Sequence, residues 1–419
     1  MTADDARAEP LPEYPMGRTC PFHPPAGFER LRAAGPVAKV ALPGGGTAWA
    51  VTGHAEARAL FADPRISSDA TRHDFPHPGR PPGERAYGPD AKKPVQTFVE
   101  MDEPEHGEHR RMAIPSFSVR RVRAMRPVIE EAAGRLLDEM TRAGSPADLV
   151  SRYAVPLPSM MLCHLFGLPE GDHEFFRERA DTAVLDKRRS GPALAELRSY
   201  FERMLMNRPA TGGEGTLGEG TFGTDDGGLL GRLAAAGTEA GIPPGRLADT
   251  CVMIVVAGHE TSTNMIALGV LALLSQPDRA TPLLDGRPDA VAGLVEELLR
   301  YVSIPETIIR MAVGDIEVGG RRIRAGDGVL LLPAAANRDP AAFPEPGVLD
   351  PGRRARHHLA FGYGVHQCLG QNLARLELEI AFTALFGRLP GLRLAEPSAR
   401  FEAASPGGLQ GVARLKVAW

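Results

Sequence analysis

Cysteine, histidine and glycine residues that could carry chemistry stand together in one stretch, residues 361–370, which reads FGYGVHQCLG. Its glycines allow the backbone to turn tightly and to approach another group closely. Cys368 lies where this loop meets a predicted helix, whose positive N-terminal end favours a thiolate over a thiol. A thiolate can serve as a metal ligand or as a nucleophile. Because no second cysteine or paired histidine lies nearby, a zinc site is poorly supported.

A second polar run, AGHETSTN at residues 257–264, interrupts an apolar stretch that we predict to be one long helix. A helix that is apolar on nearly all sides is buried, and buried polar groups need partners, so this run requires a function. Its His-Glu pair also begins the H-E-x-x-H pattern of zinc proteases. Thr263 stands where the second histidine of that pattern must be, which excludes a zinc protease.

Two pairs of charged residues have spacings that place them on one helix face. Glu297 and Arg300 are three residues apart, and Glu296 with Arg300 would make an equally good surface pair. His106 and Arg110 are four residues apart and share a face of another predicted helix. Taken alone, either spacing is too common to assign a function.

Together, these motifs resemble the cytochrome P-450 family of haem-thiolate monooxygenases. F-G-x-G-x-H-x-C-x-G is the haem-binding loop of that family, and every fixed position is matched here. In the family, the cysteine thiolate is the proximal ligand of the haem iron. The resemblance therefore assigns the iron to Cys368 and places Phe361, Gly362, Gly364 and Gly370 around the haem.

The other motifs occur in the order that the family has. Residues 257–261 resemble its A-G-x-E-T oxygen-activation segment, so we expect Ala257, Gly258, Glu260 and Thr261 to serve catalysis. Gly258 would let the helix open or approach the haem, Thr261 would hydrogen-bond dioxygen or a water, and Glu260 would supply protons by way of solvent.

The resemblance also selects Glu297 rather than Glu296 as the partner of Arg300, in a buried ion pair behind the haem. Arg338, in the family's A-N-R-D-P segment, and Arg353 are both candidates to complete this network, and the sequence does not choose between them.

The two propionates of haem require cations or strong hydrogen-bond donors. In the family, H-x-x-x-R binds them, which here names His106 and Arg110. An arginine after the E-x-x-R helix, here Arg310, does the same, and His366 in the cysteine loop is a fourth candidate.

The expected fold is mainly α with small β-sheets, a cytochrome P-450-like fold with a long central helix over the haem. The length of 419 residues would suit two or three domains, but no composition shift marks a linker. We therefore predict one domain over 1–419, with flexible segments at 1–15 and 211–227. The second segment repeats G-x-G-x-x-G without the flanking strand and helix that a dinucleotide site needs, so it is interpreted as a linker.

Composition excludes several other classes of protein. The net charge of −4 disfavours nucleic-acid binding. Four scattered cysteines indicate a reduced, cytoplasmic protein rather than a disulfide framework. The acidic, proline-rich start lacks the features of a signal peptide, and the polar run at 257–264 leaves no apolar span long enough for a membrane anchor.

The resemblance implies haem b, dioxygen, and electrons from NAD(P)H that arrive through a separate ferredoxin and ferredoxin reductase. We expect a monomer with a hydrophobic small-molecule substrate, such as a macrolide, terpenoid or steroid. The predicted pocket walls are residues 64–98, 175–206, 305–308 and 408–410, together with Met253 and Val256. Two alternatives stay open: a haem-thiolate enzyme that uses hydrogen peroxide or nitric oxide, and a non-enzymatic haem sensor or carrier.

Arginines crowd the region beside the predicted propionate-binding helix. Basic patches accelerate the docking of acidic partners in a salt-dependent way, so an acidic ferredoxin could bind there. A solvated basic face is the plainer interpretation, since 48 residues of this chain are Lys or Arg. The arginines in question are Arg110, Arg111, Arg120, Arg121, Arg123, Arg126 and, just past the cysteine, Arg375.

Overall fold

Apolar residues at helical spacing dominate the middle of the chain, and this part of the protein is helical. The computed structural model describes residues 10–72, 75–76, 96–186, 188–207, 227–396 and 408–419. The helices are α1 (Ala26–Ala33), α2 (His54–Ala62), α3 (Glu105–Ala113), α4 (Val119–Ala124), α5 (Arg126–Ala143), α6 (Pro156–Phe166), α7 (His173–Leu185), α8 (Ser190–Met206), α9 (Gly228–Glu239), α10 (Pro244–Ser275), α11 (Thr281–Asp285), α12 (Pro288–Val302), α13 (Pro333–Ala336) and α14 (Gln371–Arg388).

Short strands flank this helical body. They are β1 (Val37–Ala41), β2 (Thr47–Val51), β3 (Ile66–Ser67), β4 (Ala147–Asp148), β5 (Ile308–Ala312), β6 (Ile316–Val318), β7 (Arg321–Ile323), β8 (Gly328–Leu331), β9 (Arg393–Leu394) and β10 (Lys416–Ala418). The expected fold class, mainly α with small sheets, is confirmed.

The largest sheet has the strand order β1-β2-β8-β5-β3. β2 and β8 run parallel, whereas the other neighbours are antiparallel. β5 carries Arg310 in register with Val329 of β8, so the sheet fixes one predicted haem contact. β1 and β2 form an antiparallel hairpin, and so do β6 and β7. Near the C-terminus, β10 pairs antiparallel with β4 and β9.

The longest helix, α10, has 32 residues and crosses the centre of the hydrophobic core, where it packs on α6, α7, α8, α12 and α14. The polar run at 257–264 does not interrupt it. The Thr261 hydroxyl donates to the carbonyl of Ala257 at 2.6 Å, one turn earlier, while His259 bonds Asp181 of α7 and Ser262 bonds Glu377 of α14. The run therefore interrupts only the apolar sequence pattern of α10, and the backbone stays helical from Pro244 to Ser275.

α10 is also long and apolar enough to cross a membrane by those two criteria, contrary to the expectation that no such span exists. However, 56% of its most apolar window is buried inside the protein, as in a core helix.

The segment before α1 is anchored rather than loose. Tyr14 is buried, its amide N–H donates to the carbonyl of Ala41 at 2.9 Å, and its hydroxyl contacts Thr307. Residues 12–15 of the segment expected to be flexible thus pair with β1, while residues 1–9 lie outside the described part. The predicted linker at 211–227 also lies outside it, except for Gly227 at the start of α9.

Candidate active site

A cavity of about 510 Å³ lies between α10 and the loop that leads into α14. One wall is the cysteine loop, the opposite wall is the polar run of α10, and cationic side chains close one edge. The predicted site residues that line it are Ala257, Gly258, Thr261, Arg110, Arg310, Phe361, Gly362, His366, Cys368 and Gly370. Among the described residues predicted for catalysis or haem binding, Glu260, His106 and Gly364 lie outside this lining.

Backbone geometry holds the cysteine loop against α2. A 3-10 turn spans Gly364–His366, and the amide N–H of Cys368 donates to the carbonyl of Phe361 at 2.9 Å. Gly364 has a φ of 74°, and a Cβ at this position would lie 2.3 Å from the carbonyl oxygen of Phe61. Only glycine fits there, so Gly364 shapes the loop from behind instead of lining the cavity.

The Cys368 thiol faces the cavity from the start of α14. Burial raises the pKa of this thiol, whereas the amide N–H groups of Gly370 and Gln371 and the nearby Arg110 and Arg375 lower it. Those donors stabilise a thiolate, which is the form that binds iron.

The remaining cysteines are unsuited to such a role. Cys163 and Cys251 are buried among apolar side chains, and burial raises the pKa of both thiols. Cys20 lies near Leu268, away from this cavity. Within the described chain, the cavity wall thus contains a single cysteine.

Four donors converge at the edge of the cavity. The rings of His106 and His366 lie 4.1 Å apart, and His106 Nδ1 donates to Glu103 at 2.9 Å, which turns its Nε2 inward. Burial lowers the pKa of Arg310 to about 10, and Arg110 bonds the carbonyl of Gln367. His106 Nε2 and His366 Nδ1 are buried with no partner in the described protein.

This donor set fits haem. A group that brings two carboxylates would supply the acceptors that the orphaned imidazole nitrogens lack, because buried polar groups require partners. Arg110 and Arg310 would provide the charge. A sulfur ligand on one wall, and Thr261 among apolar side chains on the opposite wall, complete the match to an iron porphyrin.

On the α10 side, Ala257, Gly258 and Thr261 face the cavity across one turn of helix. A Cβ at Gly258 would come 3.4 Å from Leu162, which is ordinary contact, so within the protein this glycine is not forced by sterics. Glu260 points off the cavity and is half-buried.

The hydrogen bonds of Glu297 show whether Arg338 or Arg353 joins the Glu297–Arg300 pair behind the cysteine loop. Glu297 and Arg300 are fully buried and make two bonds of 2.7 Å. Arg353 donates to Glu297 at 3.2 Å, and the Asp350 amide donates at 2.9 Å. Arg338 instead donates to three carbonyls, one of them that of Tyr301. Arg353 is therefore the third member.

A second network, which the sequence did not reveal, lies beside the first. Glu296 accepts from Arg375 at 2.6 Å and from His358 at 3.0 Å, so it does not form a surface pair with Arg300. His358 is buried. No periodicity distinguishes these residues, since their partners lie 62 and 79 positions away.

Some predicted walls are absent from the described cavity. Met253, Pro305, Ile308 and, from the predicted stretch 64–98, Phe98 line it, but among the described side chains Val256, those of residues 175–206 and those of residues 408–410 do not. Residues 408–410 pack behind Pro305 instead, where Leu409 bridges to it. The wall residues that sequence reasoning missed include Phe61, Phe117, Pro158, Met161, Leu162, Leu165, Ser262, Leu373 and Glu377.

Comparisons with known proteins agree with this geometry. The sequence model of the family described as Cytochrome P450 matches residues 291–389. Cytochrome P450-SOY of Streptomyces griseus is 44% identical, over 99% of this chain and 97% of its own length. Vitamin D3 dihydroxylase of Streptomyces griseolus is 42% identical, over 100% and 99%. The crystal structure of CYP105D6 superposes with a TM-score of 0.86 at 42% identity, over 98% and 99%. With the cysteine loop and the cavity already in place, this similarity over the whole chain shows that the protein belongs to the cytochrome P450 family of monooxygenases.

Proposed function

We propose that this protein is a haem b monooxygenase that inserts one oxygen atom from dioxygen into a hydrophobic natural product, as a monomer in the cytoplasm. The observation that carries this proposal is the cavity itself. Cys368 and Thr261 face each other across it, Arg110 and Arg310 close one edge, and apolar side chains form the remaining walls. Haem iron supplies the binding and reductive activation of dioxygen.

The chain's own residues then have distinct tasks. Cys368 Sγ ligates the iron, and Arg110, Arg310, His106 and His366 bind the carboxylates at the edge. These interactions are charge-assisted, and each contributes roughly 1.5–3 kcal/mol.

Thr261 Oγ1 is a polar atom of α10 at the cavity that can pass a proton into it, whereas the neighbouring Ser262 hydroxyl bonds Glu377. Its hydrogen is engaged by the Ala257 carbonyl at 2.6 Å, so its lone pairs are left to accept from a water. Donation into the cavity requires the hydroxyl to rotate away from Ala257. Glu260 lies outside the cavity lining and would feed this step from the far side of the helix.

The test of this assignment begins with the iron ligand. Cys368→Ala should abolish the red-shifted Soret band of the reduced, CO-bound protein, whereas Cys20→Ser, outside this cavity, should retain it. A normal band in Cys368→Ala would refute the ligand assignment.

The proton step is tested separately. Thr261→Ala should keep haem and substrate binding, yet release more hydrogen peroxide for each NAD(P)H consumed. Product formation should fall by about 10²-fold or more, since general acid–base steps contribute roughly 10²–10⁴-fold. Unchanged coupling with dioxygen would favour an enzyme that uses hydrogen peroxide. Haem binding with no turnover from any electron donor would favour a sensor or carrier.

Apolar walls favour a hydrophobic substrate, and the name of one relative, vitamin D3 dihydroxylase, supports a rigid, ring-containing one. A spin-state titration with three probes, namely vitamin D3, a sesquiterpene carboxylic acid and a macrolide, tests this proposal. Displacement of water from the iron by only one probe would identify the class, and failure of all three would contradict the proposed substrate range.

For electron delivery, we propose ferredoxin docking at the exposed arginines of the α3–α4 region. Fewer of the expected arginines are available to an acidic partner than the sequence predicted. Arg110 points into the cavity, Arg375 pairs with Glu296, and Arg126 pairs with Glu130 and Glu379.

Arg120 and Arg123 of α4 remain exposed and carry the docking proposal. Arg123→Glu should slow reduction by ferredoxin at low salt and lessen its dependence on ionic strength. Arg126→Glu is the matched control, because its charge is already compensated by two carboxylates. Equal effects of both changes, or no salt dependence in the wild type, would contradict docking here.

A further inference from the structure

Three polar groups meet behind the catalytic segment, on the side of α10 away from the cavity. His259 is fully buried, and its Nε2 lies 2.6 Å from Ser159 Oγ and 2.8 Å from Asp181 Oδ1. Ser159 Oγ is also 2.6 Å from Asp181 Oδ1. Ser159 belongs to α6 and Asp181 to α7, so the cluster joins three helices.

Hydrogen-bond accounting fixes the arrangement of protons in this cluster. Asp181 is an acceptor only, so Ser159 donates its hydroxyl proton to it. Nε2 of His259 must then carry the hydrogen and donate to Asp181 and Ser159 together. Nδ1 of His259 is buried without a partner among the described residues. His259 is thus held by one edge of its ring alone.

The position of His259 gives this cluster its significance. It stands between Gly258, which lines the cavity, and Glu260, and it comes two residues before Thr261. Apolar side chains pack α10 against its neighbouring helices, and the bonds of His259 add a directional restraint at the catalytic turn. Directional hydrogen bonds set rotation, and in a buried site they are stronger than in water.

We propose that His259 is a positioning residue, whose bonds to Ser159 and Asp181 fix the rotation of α10 so that Thr261 Oγ1 faces the cavity. This inference rests on the proposed proton step at Thr261. It adds a requirement from outside the cavity. Asp181 of α7, whose side chain is 26% exposed, orients the catalytic turn of α10.

Variants of the cluster separate positioning from folding. His259→Phe removes the donor but leaves Ser159 and Asp181 bonded to each other, so no buried carboxylate is stranded. Asp181→Leu removes the acceptor from α7, whereas Asp181→Asn keeps an acceptor oxygen and should rescue. Tyr200→Phe is the matched control, since its hydroxyl donates to Asp172, the residue before α7, at 2.8 Å and neither residue belongs to α10.

The first measurement is coupling in the haem-loaded enzyme, with the strongest binder among vitamin D3, the sesquiterpene carboxylic acid and the macrolide. His259→Phe and Asp181→Leu should raise hydrogen peroxide per NAD(P)H by about tenfold, because small misplacements of catalytic groups cost up to roughly 10²-fold. The CO-bound Soret band and the spin-state Kd should stay within about twofold of wild type, as should every property of Asp181→Asn and Tyr200→Phe.

The second measurement needs no turnover. Amide hydrogen exchange of residues 255–262 in the holoenzyme should accelerate by about tenfold in His259→Phe and Asp181→Leu, the equivalent of one lost hydrogen bond. Exchange in Tyr200→Phe should match wild type over the same residues.

Thr261→Ala, measured alongside, distinguishes the possible failures. If Thr261→Ala is uncoupled while His259→Phe and Asp181→Leu stay coupled, the positioning proposal is wrong and the proton step stands. If Thr261→Ala is fully coupled, the proton step is wrong and the positioning proposal is wrong with it. Loss of the Soret band in both cluster variants would show a structural role instead and would also overturn the proposal.

Discussion

A carboxyl group in the wall of the haem cavity should make the stability of this protein fall as pH rises through neutrality. Glu377 lies on α14, is buried, and faces α10, where the Ser262 hydroxyl bonds it. Its Oε1 has no partner in the described protein. Burial raises the pKa of Glu377 from 4.5 to about 8, and the bond from Ser262 offsets only part of that rise.

The sign follows from proton binding. Between pH 4.5 and about 8, the folded chain keeps a proton at Glu377 that the unfolded chain has released. The free energy of unfolding therefore decreases with pH across this window and becomes constant above it. Each pKa unit corresponds to about 1.4 kcal/mol, so the rise from pH 6.5 to pH 8 should cost about 2 kcal/mol.

Glu377→Gln removes the titration and preserves the shape of the side chain. The free energy of unfolding of the holoenzyme, from urea denaturation at pH 6.5 to 9, should exceed that of wild type by an amount that grows by about 2 kcal/mol up to pH 8.

Glu296→Gln is the control for this series. Burial would raise the pKa of Glu296, but bonds from His358 and Arg375 outweigh it and lower the pKa to about 2. Its titration ends well below pH 6.5, so the difference between Glu296→Gln and wild type should be constant over the series. A difference for Glu377→Gln that is equally flat would refute the buried-acid reasoning.

Three further substitutions probe the loop, the network and the haem edge. Gly364→Ala should lower the free energy of unfolding by more than about 1 kcal/mol and reduce the haem-to-protein ratio. The control Gly387→Ala, at a helical position open to solvent, should leave the melting temperature unchanged or raise it. Equal shifts in the melting temperatures of the two variants would contradict the steric argument. In chemical denaturation, Arg353→Met should lower the free energy of unfolding by about 1.5–3 kcal/mol and Arg300→Met by about 3–5 kcal/mol. A larger loss for Arg353→Met than for Arg300→Met would contradict this ranking. Arg310→Met should speed haem transfer to apomyoglobin by about tenfold or more, and an unchanged rate would remove Arg310 from the haem edge.

The sequence predicted the parts of the site that depend on local spacing. Cys368 and its glycines form one continuous loop, and Thr261 lies on a helix whose apolar pattern is visible in the sequence. Glu297 with Arg300 needed the family resemblance to be preferred over Glu296, because both spacings suit a helix equally well.

Features that depend on contacts between distant segments could not be predicted. The choice of Arg353 over Arg338 is a matter of which loop folds back onto Glu297, and neither spacing nor residue type encodes it. His259 looked like a variable position within a motif, since its partner Asp181 is 78 residues earlier on another helix. Val256 was assigned to the pocket by family position, but in the described structure its face of α10 does not meet the cavity.

The strand order of the largest sheet has a consequence for how the chain is made. β2 pairs in parallel with β8, so Ala48 cannot pair until Gly328 has been synthesised. β3 likewise cannot pair until β5 has been synthesised. During synthesis the ribosome releases α3 to α12 between these partners, and those helices form mostly local contacts as they emerge. β1 and β2 meanwhile form an isolated hairpin, which is marginal on its own in water. The strand that carries Arg310 therefore joins its sheet late, after α3 to α12 have emerged, and haem capture would also wait for Cys368 and α14.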